Sequence, residues 1–312
     1  MQATVCEILS SVHRQVGFSV NTESVKLNSF ESDECLAYSH YNFSWSSKKK
    51  VYFMSTASAA PESRVVGGTP TTIEEFPYAV SIVYSYPVAG ITVQRCVGSL
   101  ISSWHVLTSG FCFTGANLNN MQVRAGSTYS LSGGILVNVR TFEKHPDYVE
   151  TPRSGDLAVT FLENPLGISS TIGVLYLPPS FMNIPDGTSV KMVSWGFETE
   201  TGPQLEFLKR VYFDKLSVEV CQQKFAENTD DVLCGQASGV AACRGDSGAP
   251  MVINNVIVGT SSYFNSCTDE YPAVFTRVDR YTNWILEVAS AGGSMARTSV
   301  EGIVSGPIVS AH

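Results

Sequence analysis

Short apolar or alternating segments recur along the chain from Val65 onward and indicate β-strands. Pro, Gly, Asn and Ser interrupt these segments, as they do at the turns between strands. No helical repeat separates the segments, so the pattern predicts an all-β fold, built as a sandwich or as barrels. The predicted strands are 78–83, 98–107, 121–125, 135–140, 157–161 and 189–193.

Two later segments allow more specific predictions. Asn254 and Asn255 separate two apolar stretches within 250–259, and this arrangement predicts a tight β-hairpin. Near the end of the chain, four apolar residues follow the i, i+3, i+4, i+7 spacing of one helix face. The sequence therefore predicts one amphipathic helix that contains Tyr281, Trp284, Ile285 and Val288.

The two ends of the chain differ from this pattern. Residues 1–64 are polar and Ser-rich, and we interpret them as an irregular N-terminal extension or pro-segment. Residues 291–312 are rich in Gly, Ser and Ala, which predicts a flexible tail. The first twenty residues lack the basic and apolar regions of a signal peptide, and only a weak version follows at 48–60. Either secretion uses a degenerate or internal signal, or the chain start is placed too far upstream.

Composition narrows the class of protein. The chain has 312 residues, of which 44% are hydrophobic and 15% charged, as expected for a globular protein with a sizeable core. The net charge of −8 argues against nucleic acid as a partner. No run of about 18 apolar residues occurs, so no membrane span is predicted.

The eight cysteines fit disulfide bonds and an oxidising compartment, because their number is even. Metal binding is the competing interpretation. No Cys-x-x-Cys motif is present and the histidines do not cluster with the thiols, so neither a metal site nor a cofactor is predicted.

The segment Gly-Asp-Ser-Gly at 245–248 is the first candidate for chemistry. A nucleophilic serine needs a sharp, exposed turn, and glycines permit such a turn. Ser247 is the candidate nucleophile, and the backbone N–H groups of Gly245 and Ser247 are candidate oxyanion donors. A polar turn without chemistry is the alternative for this motif taken alone.

Further motifs in the same order along the chain resemble the trypsin/chymotrypsin family of serine proteases. Arg64-Val65-Val66-Gly67-Gly68 resembles the activation site of that family, and Gly-Asp-Leu-Ala-Val at 155–159 resembles the segment that carries the triad aspartate. Ser-Trp-Gly at 194–196 resembles the family's Trp-Gly turn. The resemblance extends from Val65 to about Ser290, and the spacing around 124–134 is similar to that of insect digestive trypsin-like proteins.

The resemblance implies a fold and a set of roles. The fold is two antiparallel six-stranded β-barrels with the site between them, followed by a C-terminal helix, in a peptidase domain of residues 65–290. The triad aspartate is Asp156. Cleavage after Arg64 frees the amino group of Val65, which pairs with Asp246. The implied disulfides are Cys96–Cys112, Cys221–Cys234 and Cys243–Cys267, whereas Cys6 and Cys35 lie outside the resemblance.

The chain departs from the family at one position on which catalysis in that family depends. The family carries Leu-Thr-Ala-Ala-His-Cys where this chain has Leu-Thr-Ser-Gly-Phe-Cys at 107–112, so Phe111 stands at the position of the triad histidine. Imidazole takes the proton of the serine and passes it to the leaving group, and a phenyl ring does neither. Asp156 is not a substitute, because it would lie behind the imidazole. His105 and His145 are not expected to replace it either.

The primary specificity pocket also departs from that of trypsin. Ala241 stands at its base, so no carboxylate is available for an Arg or Lys side chain. Phe264 and Ala273 stand at wall positions where the family commonly has glycine, and a ring at 264 is expected to narrow the pocket. A shifted insertion in this loop is the alternative.

The sequence therefore favours a secreted, catalytically silent homologue that acts by binding protein or peptide ligands, as an inhibitor decoy, a cofactor for active proteases or a recognition module. A monomer is expected. The alternative is an active serine endopeptidase with altered specificity, through relaxed chemistry or an error at residue 111.

Overall fold

The computed structural model describes residues 68–151, 153–225, 231–263 and 266–291. Within these ranges the chain forms thirteen β-strands and two α-helices. Several positions singled out from the sequence lie outside the described residues: Cys6, Cys35, Arg64, Val65 and Phe264. The predicted extension and tail also lie outside, apart from Ala291, and the predicted domain boundaries remain predictions.

The first half of the described chain forms a closed antiparallel barrel. A short strand, β1 (Thr69–Pro70), precedes it, and the six barrel strands follow in the order β2-β3-β4-β7-β6-β5 around the barrel. Their bounds are β2 Ala79–Tyr86, β3 Ile91–Leu100, β4 His105–Thr108, β5 Met121–Ala125, β6 Ile135–Lys144 and β7 Ala158–Leu162.

The second half forms another closed antiparallel barrel of six strands. It closes because the first of its strands, β8, pairs with both its second, β9, and its fourth, β11. The short strand β1 pairs with the first two residues of β9. The bounds are β8 Ser189–Ser194, β9 Lys209–Lys215, β10 Val232–Gln236, β11 Pro250–Ile253, β12 Val256–Tyr263 and β13 Ala273–Arg277. The predicted all-β fold of two six-stranded barrels is confirmed.

Alternating burial explains why these segments form barrel strands. In β5, Met121, Val123 and Ala125 are buried while the residues between them are partly exposed, as a strand with one face towards a core requires. Gly98 permits close packing inside the first barrel, because a Cβ there would overlap the side chain of Val106.

The predicted hairpin and helix are both present. Asn254 and Asn255 adopt positive φ angles of 45° and 65° between β11 and β12, as the two central residues of a type I′ turn do. The C-terminal helix α2 spans Thr282–Ala291 and buries Ile285. Tyr281 was predicted to lie within it but precedes its first residue, where it caps a 3₁₀ turn. The sequence missed the short helix α1, Val218–Lys224, whose N-cap is Ser217. No helix in the described ranges is long and apolar enough to cross a membrane.

The prediction of a single strand over 98–107 is wrong. The chain turns between β3 and β4, and the hydroxyl of Ser102 accepts hydrogen bonds from the backbone N–H groups of Trp104 and His105, both at 3.1 Å. After β4 a 3₁₀ helix, Gly110–Phe113, begins at the N-cap Ser109. His105 and Phe111 therefore do not lie on one regular strand.

Three disulfides form between the cysteines that the family resemblance pairs. They are Cys96–Cys112, Cys221–Cys234 and Cys243–Cys267. The first links β3 to the 3₁₀ helix that carries Phe111.

Candidate functional site

Ser247 lies on a tight turn that packs against the first barrel. Gly245 and Gly248 adopt φ angles of +84° and +85°, a left-handed conformation that favours glycine. A Cβ on Gly248 would overlap the carbonyl oxygen of Val97. The backbone N–H of Val97 in turn donates to the carbonyl of Ser247 at 2.9 Å. These contacts fix Ser247 where the two barrels meet.

The hydroxyl of Ser247 has a weak contact with a backbone carbonyl and no basic partner among the described side chains. Its Oγ donates to the carbonyl oxygen of Ser262 at 3.4 Å. The side chain is nearly buried, with 9% of its surface exposed. A serine hydroxyl in this setting keeps its proton, because a carbonyl oxygen is a poor base.

Both histidines in the described ranges are engaged elsewhere. His105 packs edge-on against Phe161, with 5.0 Å between ring centroids, and burial lowers its pKa to about 4. His145 packs edge-on against Tyr281 at 4.6 Å. Neither imidazole is hydrogen-bonded to Ser247 in the described structure.

Asp156 is fully buried and is held by three donors. The Ser109 hydroxyl donates to both carboxylate oxygens at 2.7 and 2.8 Å, and the backbone N–H of Phe111 donates to one of them at 2.9 Å. The hydroxyl of Ser262 donates to the other at 2.6 Å. The hydrogen bonds satisfy a carboxylate whose burial would otherwise be costly. No imidazole is among the described donors to Asp156.

Phe111 lies beside Asp156 with its ring in contact with a cation. The guanidinium carbon of Arg153 lies 3.6 Å from the ring centroid of Phe111. The same guanidinium donates to the carbonyl of Ser262 at 2.5 Å. Arg153 therefore joins the aromatic ring to the strand that also contacts Ser247.

The contacts of Ser109 lead to a first prediction. We expect Ser109→Ala to lower the free energy of unfolding by about 1–3 kcal/mol, because it leaves a buried carboxylate with one donor fewer. Urea unfolding measures the loss. The matched control is Ser81→Ala, since the buried hydroxyl of Ser81 has no hydrogen-bond partner in the described structure and its removal is expected to cost little. Equal losses for the two variants would contradict a specific role of Ser109.

Asp246 is a second buried carboxylate in the same turn. It accepts hydrogen bonds from the hydroxyl of Ser194 and, at 2.8 Å, from the backbone N–H of Cys243. Gly196 lies directly against it, because a Cβ there would overlap the carboxylate. Burial raises the pKa of Asp246 to about 6, although these two hydrogen bonds lower it. No described cation forms an ion pair with Asp246, and the nearby Lys209 pairs with Glu198 instead.

The structure describes two of the three residues predicted for the specificity pocket, Ala241 and Ala273. Ala241 is buried and lines a small cavity of about 20 Å³ that Asp246 and Ser194 also border. Ala273 is buried at the start of β13, where it pairs with Gly235 of β10. A pocket that includes these residues and Phe264 stays a prediction.

An open cleft of about 350 Å³ lies beside Ser247 and Gly245. Its other lining residues are either aromatic or positively charged. They are Arg95, Phe111, Arg153, Arg244 and Tyr263. The cleft thus brings together the candidate serine, the unusual Phe111 and three arginines.

Sequence reasoning missed Ser109 and the arginines. A signal for Ser109 existed, because the sequence has serine where the family motif has alanine, two residues before Phe111. No signal was available for Arg95 and Arg153, since they are far apart in the sequence and come together only in the folded barrels.

Comparisons with known proteins agree on one family. A family model described as Trypsin matches residues 65–285. The chain is 31% identical over 237 residues to "Trypsin, alkaline C" of Manduca sexta, which covers 73% of this chain and 92% of that protein. It is 32% identical over 237 residues to "Trypsin delta" of Drosophila erecta, with 73% and 89% covered. The crystal structure of scabies mite inactivated protease paralogue S-D1 has the same fold, with a TM-score of 0.65 at 24% identity, and the match covers 72% of this chain and 97% of that one.

Proposed function

The chain belongs to the trypsin family of serine proteases, and on that basis we propose that it is a catalytically inactive member that acts by binding a protein or peptide ligand. In this proposal Phe111 replaces the triad histidine, and Asp156 and Ser247 are the other two triad positions. The observation that carries the proposal is the surroundings of Ser247, whose hydroxyl contacts a carbonyl oxygen while a phenyl ring lines the cleft beside it.

The missing base is sufficient to stop turnover. Attack by a serine requires a group that accepts its proton and then donates it to the leaving amine. Loss of the histidine from such a triad lowers turnover by roughly 10⁶-fold. That factor corresponds to about 8 kcal/mol in the activation barrier. The hydrogen bonds of Asp156 support the proposal further, because Ser109 supplies a donor that an active site receives from imidazole.

The remaining features fit a retained scaffold. We assign Gly245 and Ser247 to the former oxyanion loop, and Arg64, Val65 and Asp246 to an activation switch in which cleavage frees the amino group of Val65. Residues 1–64 are then a pro-segment. The three disulfides support secretion, because such bonds persist in oxidising compartments.

Covalent labelling tests the proposed inactivity. We expect the chain cut after Arg64 to resist a fluorescent fluorophosphonate at concentrations and times that label trypsin completely, because Ser247 has no base. Mass spectrometry of the intact protein measures the labelled fraction. Ser247→Ala provides the background. Stoichiometric labelling of the unsubstituted chain that disappears in Ser247→Ala would overturn the proposal.

A further inference from the structure

We propose that the cleft beside Ser247 binds an acidic segment of a partner protein, whose carboxylates pair with Arg95, Arg153 and Arg244. This inference rests on the proposed binding function and specifies its ligand. Ala241 at the predicted pocket base argues only against a ligand with a basic side chain, whereas the three arginines specify that an acidic ligand is preferred.

The first evidence is the absence of carboxylate partners for these three arginines. All three line one cleft of about 350 Å³, and none forms an ion pair with a carboxylate in the described ranges. Other cations of the same structure do find partners, among them Arg210 with Glu75 and Lys215 with Asp186. What sets these three arginines apart is that they line one cleft, so their charges add up to a local positive patch in a chain of net charge −8, and such a patch attracts an external anion.

Neutral groups hold the three guanidinium groups in place without neutralising them. Arg95 donates to the carbonyl oxygens of Cys112 and Thr114, at 2.7 and 2.6 Å. These hydrogen bonds fix the guanidinium group but leave some of its N–H donors for a ligand. Less side-chain entropy is therefore lost when a ligand binds.

Arg153 and Arg244 are held in a similar way, each by one carbonyl and one ring. Arg153 contacts the ring of Phe111 and the carbonyl of Ser262. Arg244 donates to the carbonyl of Glu200, and its guanidinium carbon lies 4.6 Å from the ring centroid of Phe197. Both side chains are half-buried, so carboxylates would meet them in a partly desolvated site, where such pairs are stronger than on an open surface.

The charges around the cluster do not cancel it. Asp156 lies beneath Phe111, where three neutral donors hold its oxygens, and its single charge offsets only part of the charge of the three arginines. Lys144 adds a fourth cation near Arg95. The pKa of Lys144 is lowered by burial, raised by Asp156 and Glu150, and lowered by the charge of Arg95. The cleft surface beside Ser247 is thus positive.

The shape of the site favours an acidic peptide over an extended sulfated polysaccharide. The cleft is concave and small, near the lower end of the usual range for binding pockets, so it accommodates a few side chains. The rings of Phe111 and Tyr263 offer apolar contacts to the side chains of a peptide. Planar guanidinium groups also match the bidentate geometry of carboxylates.

Peptide binding to the full chain provides the test. The probe is fluorescein-labelled Ala-Glu-Glu-Ala-Glu-Ala-amide, and its matched control carries Gln in place of each Glu. We expect fluorescence anisotropy to show at least about tenfold tighter binding of the Glu peptide, and a loss of this difference as salt is raised to about 1 M. Equal affinity for the two peptides, or no binding of either, would overturn the inference.

Variants locate the binding to the cleft. Arg153→Gln and Arg244→Gln are each expected to weaken the Glu peptide by about three- to tenfold, and Arg210→Gln, an arginine of β9 outside the cleft lining, is expected to leave it unchanged. Urea unfolding verifies that each variant is folded. Equal losses in all three variants would contradict a specific site.

Binding of a sulfated heparin hexasaccharide tests whether the cleft prefers an acidic polysaccharide to an acidic peptide. Binding of the hexasaccharide with the same sensitivity to Arg153→Gln, and tighter than the Glu peptide, would overturn the choice of a peptide ligand. A failure of this inference can be distinguished from a failure of the proposed function, because the two are tested by different experiments. Labelling of Ser247 by fluorophosphonate would defeat the inactive assignment whatever the peptides do, whereas an inert chain that does not prefer the Glu peptide defeats only this inference.

Discussion

Phe111→His is expected to make Ser247 reactive towards a fluorophosphonate in the chain cut after Arg64. The expected rise in labelling rate is on the order of 10³- to 10⁶-fold over the unsubstituted chain, the upper limit being the cost of losing a triad histidine. Intact-mass measurements over time give the rate. This is the largest effect that we expect from any single substitution in the protein.

The geometry around residue 111 supports this expectation. The backbone N–H of Phe111 bonds to a carboxylate oxygen of Asp156 at 2.9 Å, and its ring lines the same cleft as Ser247. An imidazole at this position has a carboxylate on one side and the serine on the other, as a triad requires. Arg153 sets the lower limit of the expected rise in labelling rate, because its guanidinium lies over the ring at 111 and disfavours a protonated imidazole there.

Two controls separate restored catalysis from other effects. Phe111→His combined with Ser247→Ala is expected to show no labelling, and Phe111→Asn, which is polar but not basic, is expected to stay inert. The Ser109→Ala loss in unfolding free energy should also shrink in the Phe111→His background, because an imidazole N–H can replace the Ser109 donor to Asp156. A folded, cut Phe111→His chain that does not label would contradict the assignment of residue 111 to the triad.

The sequence predicts the fold well because the strands alternate in burial and the turns have distinctive residues. The strand 121–125 was predicted with its observed bounds, and Asn254-Asn255 marked the hairpin between β11 and β12. The pattern failed between β3 and β4, because only two serines separate Ile101 from Trp104 and the turn contains no Gly, Pro or Asn. Helix α1 is too short to show a helical period.

The site is predicted less completely, since it depends on side chains from distant segments. The Gly-Asp-Ser-Gly motif pointed to Ser247, and the departure from the family motif pointed to Phe111, and both residues line the same cleft. Local sequence did not indicate that Arg153 would lie over Phe111, because contacts across the barrels have no periodic signal. Clusters of this kind are visible only once the topology fixes which loops meet.

Asp246→Asn is expected to have opposite effects on stability before and after cleavage at Arg64. In the uncut chain, burial raises the pKa of Asp246 from 3.8 to about 6. An acid with a raised pKa in the folded state binds a proton more tightly than in the unfolded state, so stability falls as the pH rises from about 4 to about 6. Asp246→Asn abolishes this fall and should stabilise the uncut chain at pH 7 by up to about 3 kcal/mol.

Cleavage reverses the sign through the proposed pairing with Val65. A buried carboxylate that has gained an ammonium partner stabilises the fold, and removing one member of such a pair costs about 3–5 kcal/mol. Asp246→Asn should therefore destabilise the cut chain by that amount. Urea unfolding at pH 4 and pH 7, with cut and uncut protein side by side, measures both effects.

The neutral variant suits this test because it retains the contacts of the turn. An amide at 246 can accept from the backbone N–H of Cys243 and donate to the hydroxyl of Ser194, so its effect reports the charge. Asp147→Asn, at a carboxylate with 86% of its side chain exposed, is expected to change stability by less than about 0.5 kcal/mol in both forms. A loss of stability in the uncut Asp246→Asn chain would mean that Asp246 already has a cation partner before cleavage. An unchanged sign after cleavage would refute the pairing with Val65, because a free carboxylate buried in the turn gains nothing from its charge.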